Sequence, residues 1–147
     1  MRKPTLLIIL ALAAFSTFQV VLHLSSGPDV EDWNPAIAVV TNESFDQTLD
    51  DSTPWVVLKA WAPWCDVCKR MRPVYNQAAS SFGDSIRFLR LDTEEEAEWA
   101  DTYRVDGLPT ILIFYQGQEI SRIMGYLPGE ALLNWIEHTT GLAPETL

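Results

Sequence analysis

The stretch WVVLKAWAPWCDVCKRMRP, residues 55–73, constrains the fold more than any other part of the chain. Its first half is a short run of branched and aromatic residues of the kind that forms a buried strand. Its second half opens a segment in which Val67, Met71, Val74, Ala78 and Phe82 recur at helical spacing. Cys65 and Cys68, the only cysteines, therefore fall at the carboxyl end of a strand and the amino end of a helix. Pro73 lies inside the helical pattern and is expected to kink it, because it has no amide for an interior hydrogen bond.

The surrounding pattern alternates. A short apolar run covers Ala36–Val40, a polar helix is expected from about Glu43 to Asp51, and SIRFLRLD reads as the next strand. EEEAEWADTYR predicts a helix with acidic residues in its first turn, and TILIFYQGQEISRIMGY two strands joined at Gln116–Gln118. PGEALLNWIEHT predicts a final amphipathic helix, with Pro128 near its first turn and Gly141 after its end. Strands and helices in this order predict an α/β sandwich. At 147 residues and 48% hydrophobic content, the chain suffices for one globular domain with a real core.

The N-terminus differs in kind. Residues 1–4 carry Arg2 and Lys3, and Thr5–Leu24 is an apolar run without a charge, long enough to cross a bilayer as a helix. A cleavable signal is the rival reading, but Val20–Leu24 are too bulky for a small-x-small cleavage site, so an uncleaved signal anchor is expected. Arg2 and Lys3 would stay in the cytoplasm, and everything beyond the anchor would be exported. His23 is expected at the membrane interface, not on a metal. Residues 25–35, rich in Ser, Gly, Pro and acid, read as a linker, and 36–147 as the folded domain. Beyond residue 24 the chain has 8 basic and 20 acidic residues, a net charge of -12, which argues against nucleic acid and anionic lipid as partners of that surface.

A C-x-x-C pair alone is compatible with a redox dithiol, part of a zinc site, a metal-carrier loop, a structural staple or a haem attachment. Lys69 instead of histidine after Cys68 excludes haem attachment, and zinc would find only distant His23 and His138 as further His or Cys ligands. At a helix N-terminus, unpaired amides and the helix dipole favour a thiolate, the nucleophilic form. Cys65 is then the expected attacking sulfur, and Cys68, one turn further in, the resolving one.

WAPWCDVCKRMRP, together with VDGLPTILIFYQG and the later MGY, resembles the thioredoxin family over about residues 36–140. The resemblance implies a thioredoxin fold, with a central mixed β-sheet flanked by α-helices, here preceded by one N-terminal transmembrane helix. It implies disulfide exchange at Cys65 and Cys68 without a cofactor, and a cis bond before Pro109, which should lie against the dithiol. Trp61 and Trp64 match the tryptophans that precede the dithiol in the family. Two positions depart from the pattern. Lys59 stands where thioredoxins usually keep a buried acid, and either its amine reaches solvent from a strand end or it acts on the dithiol as a buried cation or base. Asp66 and Val67 replace the usual Gly-Pro, placing a carboxylate beside Cys65 that opposes a thiolate, while Lys59, Lys69 and Arg70 favour one.

The expected activity is thiol–disulfide exchange with exported proteins, as a reductase fed by a membrane electron donor. A monomeric domain on the periplasmic face of the inner membrane is expected. A disulfide-forming oxidase, or a membrane-tethered metal carrier using the two cysteines as ligands, remain the alternatives.

Overall fold

A computed structural model of the protein describes residues 32–49 and 54–145. In chain order these form β1 (Ala38–Val39), α1 (Asn42–Leu49), β2 (Trp55–Trp61), α2 (Asp66–Phe82), a 3₁₀ turn (Gly83–Ser85), β3 (Arg87–Asp92), α3 (Ala97–Thr102), β4 (Thr110–Tyr115), β5 (Gln118–Met124) and α4 (Gly129–Thr140). The sheet order is β1-β3-β2-β4-β5. β1, β3 and β2 run parallel, whereas β4 and β5 are antiparallel to their neighbours, so the sheet is mixed.

Both faces of the sheet are covered. On one, Met71, Tyr75 and Phe82 of α2 and Leu132 and Ile136 of α4 pack on Val57, Phe88, Ile111 and Ile113. On the other, Phe45 of α1 and Trp99 of α3 meet Val56, Leu58, Leu89, Leu112 and Phe114. β2 lies between the two layers, which is why its apolar run is unbroken instead of alternating. Each such side chain contributes roughly 1.5–3 kcal/mol by leaving water. This is the thioredoxin fold that the resemblance implies. The residues expected to form a transmembrane helix lie outside the described ones, among which no helix is long and apolar enough to cross a membrane.

Local chemistry trims several elements. β1 is two residues long instead of spanning Ala36–Val40. α3 begins only at Ala97, because an Asp92 carboxylate oxygen accepts from the Glu94 amide at 2.9 Å and the Asp92 carbonyl from the Glu96 amide at 2.9 Å, turning the chain first. α2 continues through Pro73, whose ring is exposed, and stops at Gly83, where φ is +50°. α4 ends as its pattern predicts, with Gly141 in the left-handed region at φ +72°.

The stretch read as a linker is tied to the fold where it is described. The Asn34 amide donates to Asn76 Oδ1 at 3.1 Å, and its side-chain nitrogen donates to the Asn76 carbonyl at 3.2 Å and to Ser80 Oγ at 2.8 Å. Asn76 Nδ2 in turn donates to the Asp32 carbonyl. Trp33, held between these two anchor points on α2, packs against the core at Tyr75.

Candidate active site

β2 ends at Trp61 and α2 starts at Asp66, and the turn between them carries the dithiol. Cys65 and Cys68 are joined as a disulfide, with their Cα atoms 5.2 Å apart. Cys65 is the N-cap of α2 and its Sγ accepts the Cys68 amide at 3.1 Å, a bond that becomes charge-assisted when Cys65 is a thiolate. Cys65 is 5% exposed and Cys68 1%. Both pack with Ala62, Trp61, Val67 and Leu108.

The surroundings are unequal on the two sides. On the solvent side Trp64 is 64% exposed and edges a groove that runs along Ala97, Ala100 and Val105 to Gly107 and Leu108. The Leu108–Pro109 bond is cis, and Pro109 is buried. Thr110 Oγ1 donates to the Gly107 carbonyl at 2.6 Å and closes that loop. A side chain at Gly107 would meet Met124 Sδ of β5, the end of a flexible and mostly exposed side chain that can swing aside. Asp66 is exposed on the first turn of α2, a position the helix dipole favours for a carboxylate.

On the inner side lies Lys59, with no exposed surface at all. Its amine does not reach solvent: Nζ donates to the Cys68 carbonyl at 3.0 Å and sits 4.9 Å from the ring centre of Trp33 and 5.5 Å from that of Tyr75. Burial, and then the Arg72 charge, lower the amine from its ordinary 10.5 to about 7. The Tyr75 hydroxyl can donate to the Val57 carbonyl at 2.9 Å or the Leu89 carbonyl at 2.8 Å, and burial pushes its pKa well above the usual phenol range, keeping it neutral.

The structure thus gathers Cys65, Cys68 and Lys59, with Trp64 and Asp66 on the adjoining turn and Pro109 in the loop that carries Leu108 to the dithiol. It adds three residues that sequence reasoning missed. Trp33, Arg72 and Arg90 close the layer around Lys59, the two guanidinium carbons lying 5.3 and 4.7 Å from the Trp33 ring centre. An arginine in a basic run on a helix and a tryptophan in an acidic linker carry no local signal of burial. Only the adjacency of Lys59 and Arg90 in the parallel pairing of β2 with β3 could have suggested the cluster. Among the described residues, no group of three or more His, Cys, Asp and Glu is placed to hold a metal.

A profile of the thioredoxin family matches residues 36–138. The chain belongs to the thioredoxin family. It is 31% identical to thioredoxin 1 of Synechococcus elongatus over 100 residues, covering 68% of this chain and 94% of that protein. It is 34% identical to the thioredoxin of Bacillus subtilis over 97 residues, covering 66% of this chain and 91% of the other. The crystal structure of Malassezia sympodialis thioredoxin, Mala s 13, superimposes with a TM-score of 0.64 at 27% identity, over 70% of this chain and 92% of that one. As a thioredoxin-family protein with both cysteines in place, the chain is a thiol–disulfide oxidoreductase.

Proposed function

We propose that the chain is a membrane-anchored reductase of disulfides in exported proteins, with Cys65 as nucleophile, Cys68 as resolving thiol and Lys59 as the base for Cys68. The observation that carries the direction is the end-to-end match to thioredoxins, at 94% and 91% of their lengths, since the thioredoxin dithiol is reducing, at about -270 mV. Asp66 beside Cys65 adds to it by opposing the thiolate.

In the forward reaction the Cys65 thiolate attacks a substrate disulfide, and one substrate sulfur leaves with the electron pair. The Cys68 proton passes to the neutral Lys59 amine, giving a thiolate and an ammonium. Cys68 then attacks Cys65, the Cys65–substrate bond breaks as the Cys65–Cys68 bond forms, and the second substrate sulfur leaves reduced. Two electrons have moved to the substrate, and a membrane dithiol donor restores them. Trp64 and the loop at Pro109 flank the sulfur that substrates meet.

The Arg72 and Arg90 guanidinium groups favour the opposite direction, because positive charge beneath the dithiol stabilises the thiolate and hence the reduced enzyme. This is the specific support for the oxidase reading. Equilibrating the full-length protein with glutathione buffers decides between them. A potential at or below about -200 mV is expected, and one near about -120 mV would identify an oxidant.

The anchor reading rests on the charge-free apolar run Thr5–Leu24 behind Arg2 and Lys3. It places the catalytic domain on the periplasmic side of the inner membrane. The full-length protein is expected to stay with membranes through high-salt and alkaline washes and to begin at residue 1 or 2. A soluble product starting near residue 25 would show a removable signal instead.

A further inference from the structure

Three cations share one layer beneath the dithiol, Lys59 from β2 and Arg72 from α2 buried and Arg90 from β3 half-buried, all within 5.3 Å of the ring centre of Trp33. Among the described residues, none of the three is paired with a carboxylate. Nε of Arg72, Nε of Arg90 and the indole Nε1 are buried without a hydrogen-bond partner. The other groups facing Lys59 are the Tyr75 ring and the Cys68 carbonyl from α2, while β4 presents Ile111 opposite it in the sheet. Nothing on these elements neutralises the cluster. Guanidinium groups do not lose their proton in proteins, so Lys59 is the one member that can relieve the repulsion by becoming neutral.

Trp33 is the lid of this layer. It lies before the matched thioredoxin module, which begins at residue 36, and it is held by its neighbours. Asp32 and Asn34 are both hydrogen-bonded to Asn76 of α2, which turns the indole inward against Trp61, with ring centres 5.5 Å apart, and Tyr75.

We propose that Trp33 is a positioning residue for disulfide exchange: by sealing Lys59 from water against Arg72 and Arg90, it keeps the amine in the neutral, proton-accepting form at the residue whose thiol must be deprotonated. The proposal rests on the reading of Lys59 as the base for Cys68. Two effects of the indole oppose each other. Its π face favours the ammonium, but the water it excludes would solvate an ammonium far better. Exclusion of water therefore wins, in accord with the lowered Lys59 value. The segment ahead of the module thus takes part in setting the chemistry of the dithiol.

The test uses the full-length reduced protein and an aromatic disulfide, 5,5′-dithiobis(2-nitrobenzoate). Attack by Cys65 releases one thionitrobenzoate, and resolution by Cys68 releases the second. The rate of the second release is followed by stopped flow across pH in wild type, Trp33→Ala, Lys59→Met and the double variant. Trp33→Ala is expected to move the midpoint of the pH profile upward by at least about one pH unit and to slow the second release about tenfold at pH 7. In the Lys59→Met background the same change is expected to leave the profile where Lys59→Met put it, as two changes acting through one group require. An equal shift in both backgrounds, or no shift in either, would overturn the proposal while leaving Lys59 as the base. A Lys59→Met profile that superimposes on wild type would remove the base and the lid together. Should Trp33→Ala fail to fold, Trp33→Leu keeps an apolar plug without the π face and is expected to leave the midpoint at or below that of wild type, and an upward shift of about one pH unit in Trp33→Leu would overturn the proposal.

Discussion

A Cys68→Ala variant is expected to stop at the mixed disulfide, with steady-state turnover down by at least about 10³-fold. The geometry dictates which cysteine is trapped. Cys65 caps α2, where its sulfur accepts the Cys68 amide at 3.1 Å and faces the positive end of the helix dipole, so its thiolate is the stabilised one. Cys68 is one turn further in, 1% exposed, and is reached by Cys65 before any substrate reaches it. Incubating the reduced variant with a disulfide-bonded protein substrate should give a covalent adduct on a non-reducing gel that dithiothreitol removes. Cys65→Ala should give none. An adduct with Cys65→Ala and not with Cys68→Ala would invert the two roles.

Lys59→Met should make the protein more stable at neutral pH, although the same change slows resolution. A charge placed in a layer without a carboxylate costs more than the apolar methionine that can replace it, and such exchanges gain about 1–4 kcal/mol. The sign of the pH dependence follows from the amine's fall from 10.5 to about 7 on folding. Between those values the unfolded chain binds the Lys59 proton and the folded chain does not, so stability from this residue rises with pH across that window. Below about pH 7 the full cost is present, and near pH 10.5 it is gone. Urea unfolding of the oxidised proteins at pH 6, 8 and 10 should show a midpoint gain of roughly 1–2 M for Lys59→Met at pH 6, shrinking towards pH 10. Every other titrating group is common to both proteins and cancels in the difference. A variant no more stable than wild type at pH 6 would mean that the ammonium is solvated after all. Such a residue trades stability for function, as active-site groups commonly do.

The chain's local patterns determined most of the scaffold. An unbroken apolar run at Trp55–Trp61, helical spacing from Val67 to Phe82 and turn residues at Gln116 and Gly117 were enough to order strands and helices and to set the dithiol at a helix N-terminus. Strand and helix periods are properties of neighbouring residues, so they are legible without the fold. Element ends were less so: β1 shrank to Ala38–Val39 and α3 to Ala97–Thr102, because pairing partners and an Asp92-centred turn decide where an element stops.

The layer under the dithiol was decided by tertiary structure alone. Of the two readings of Lys59 from sequence, burial removes the amine that reaches solvent: β2 is covered on both faces, leaving the amine no path to water. Arg72 and Trp33 come from a helix and from a segment with the composition of a linker, and neither has a neighbour in sequence that signals a buried cation. Charge interactions between buried groups depend on distance and on the exclusion of water, and both appear only when β2, β3, α2 and the stretch at Trp33 are brought together.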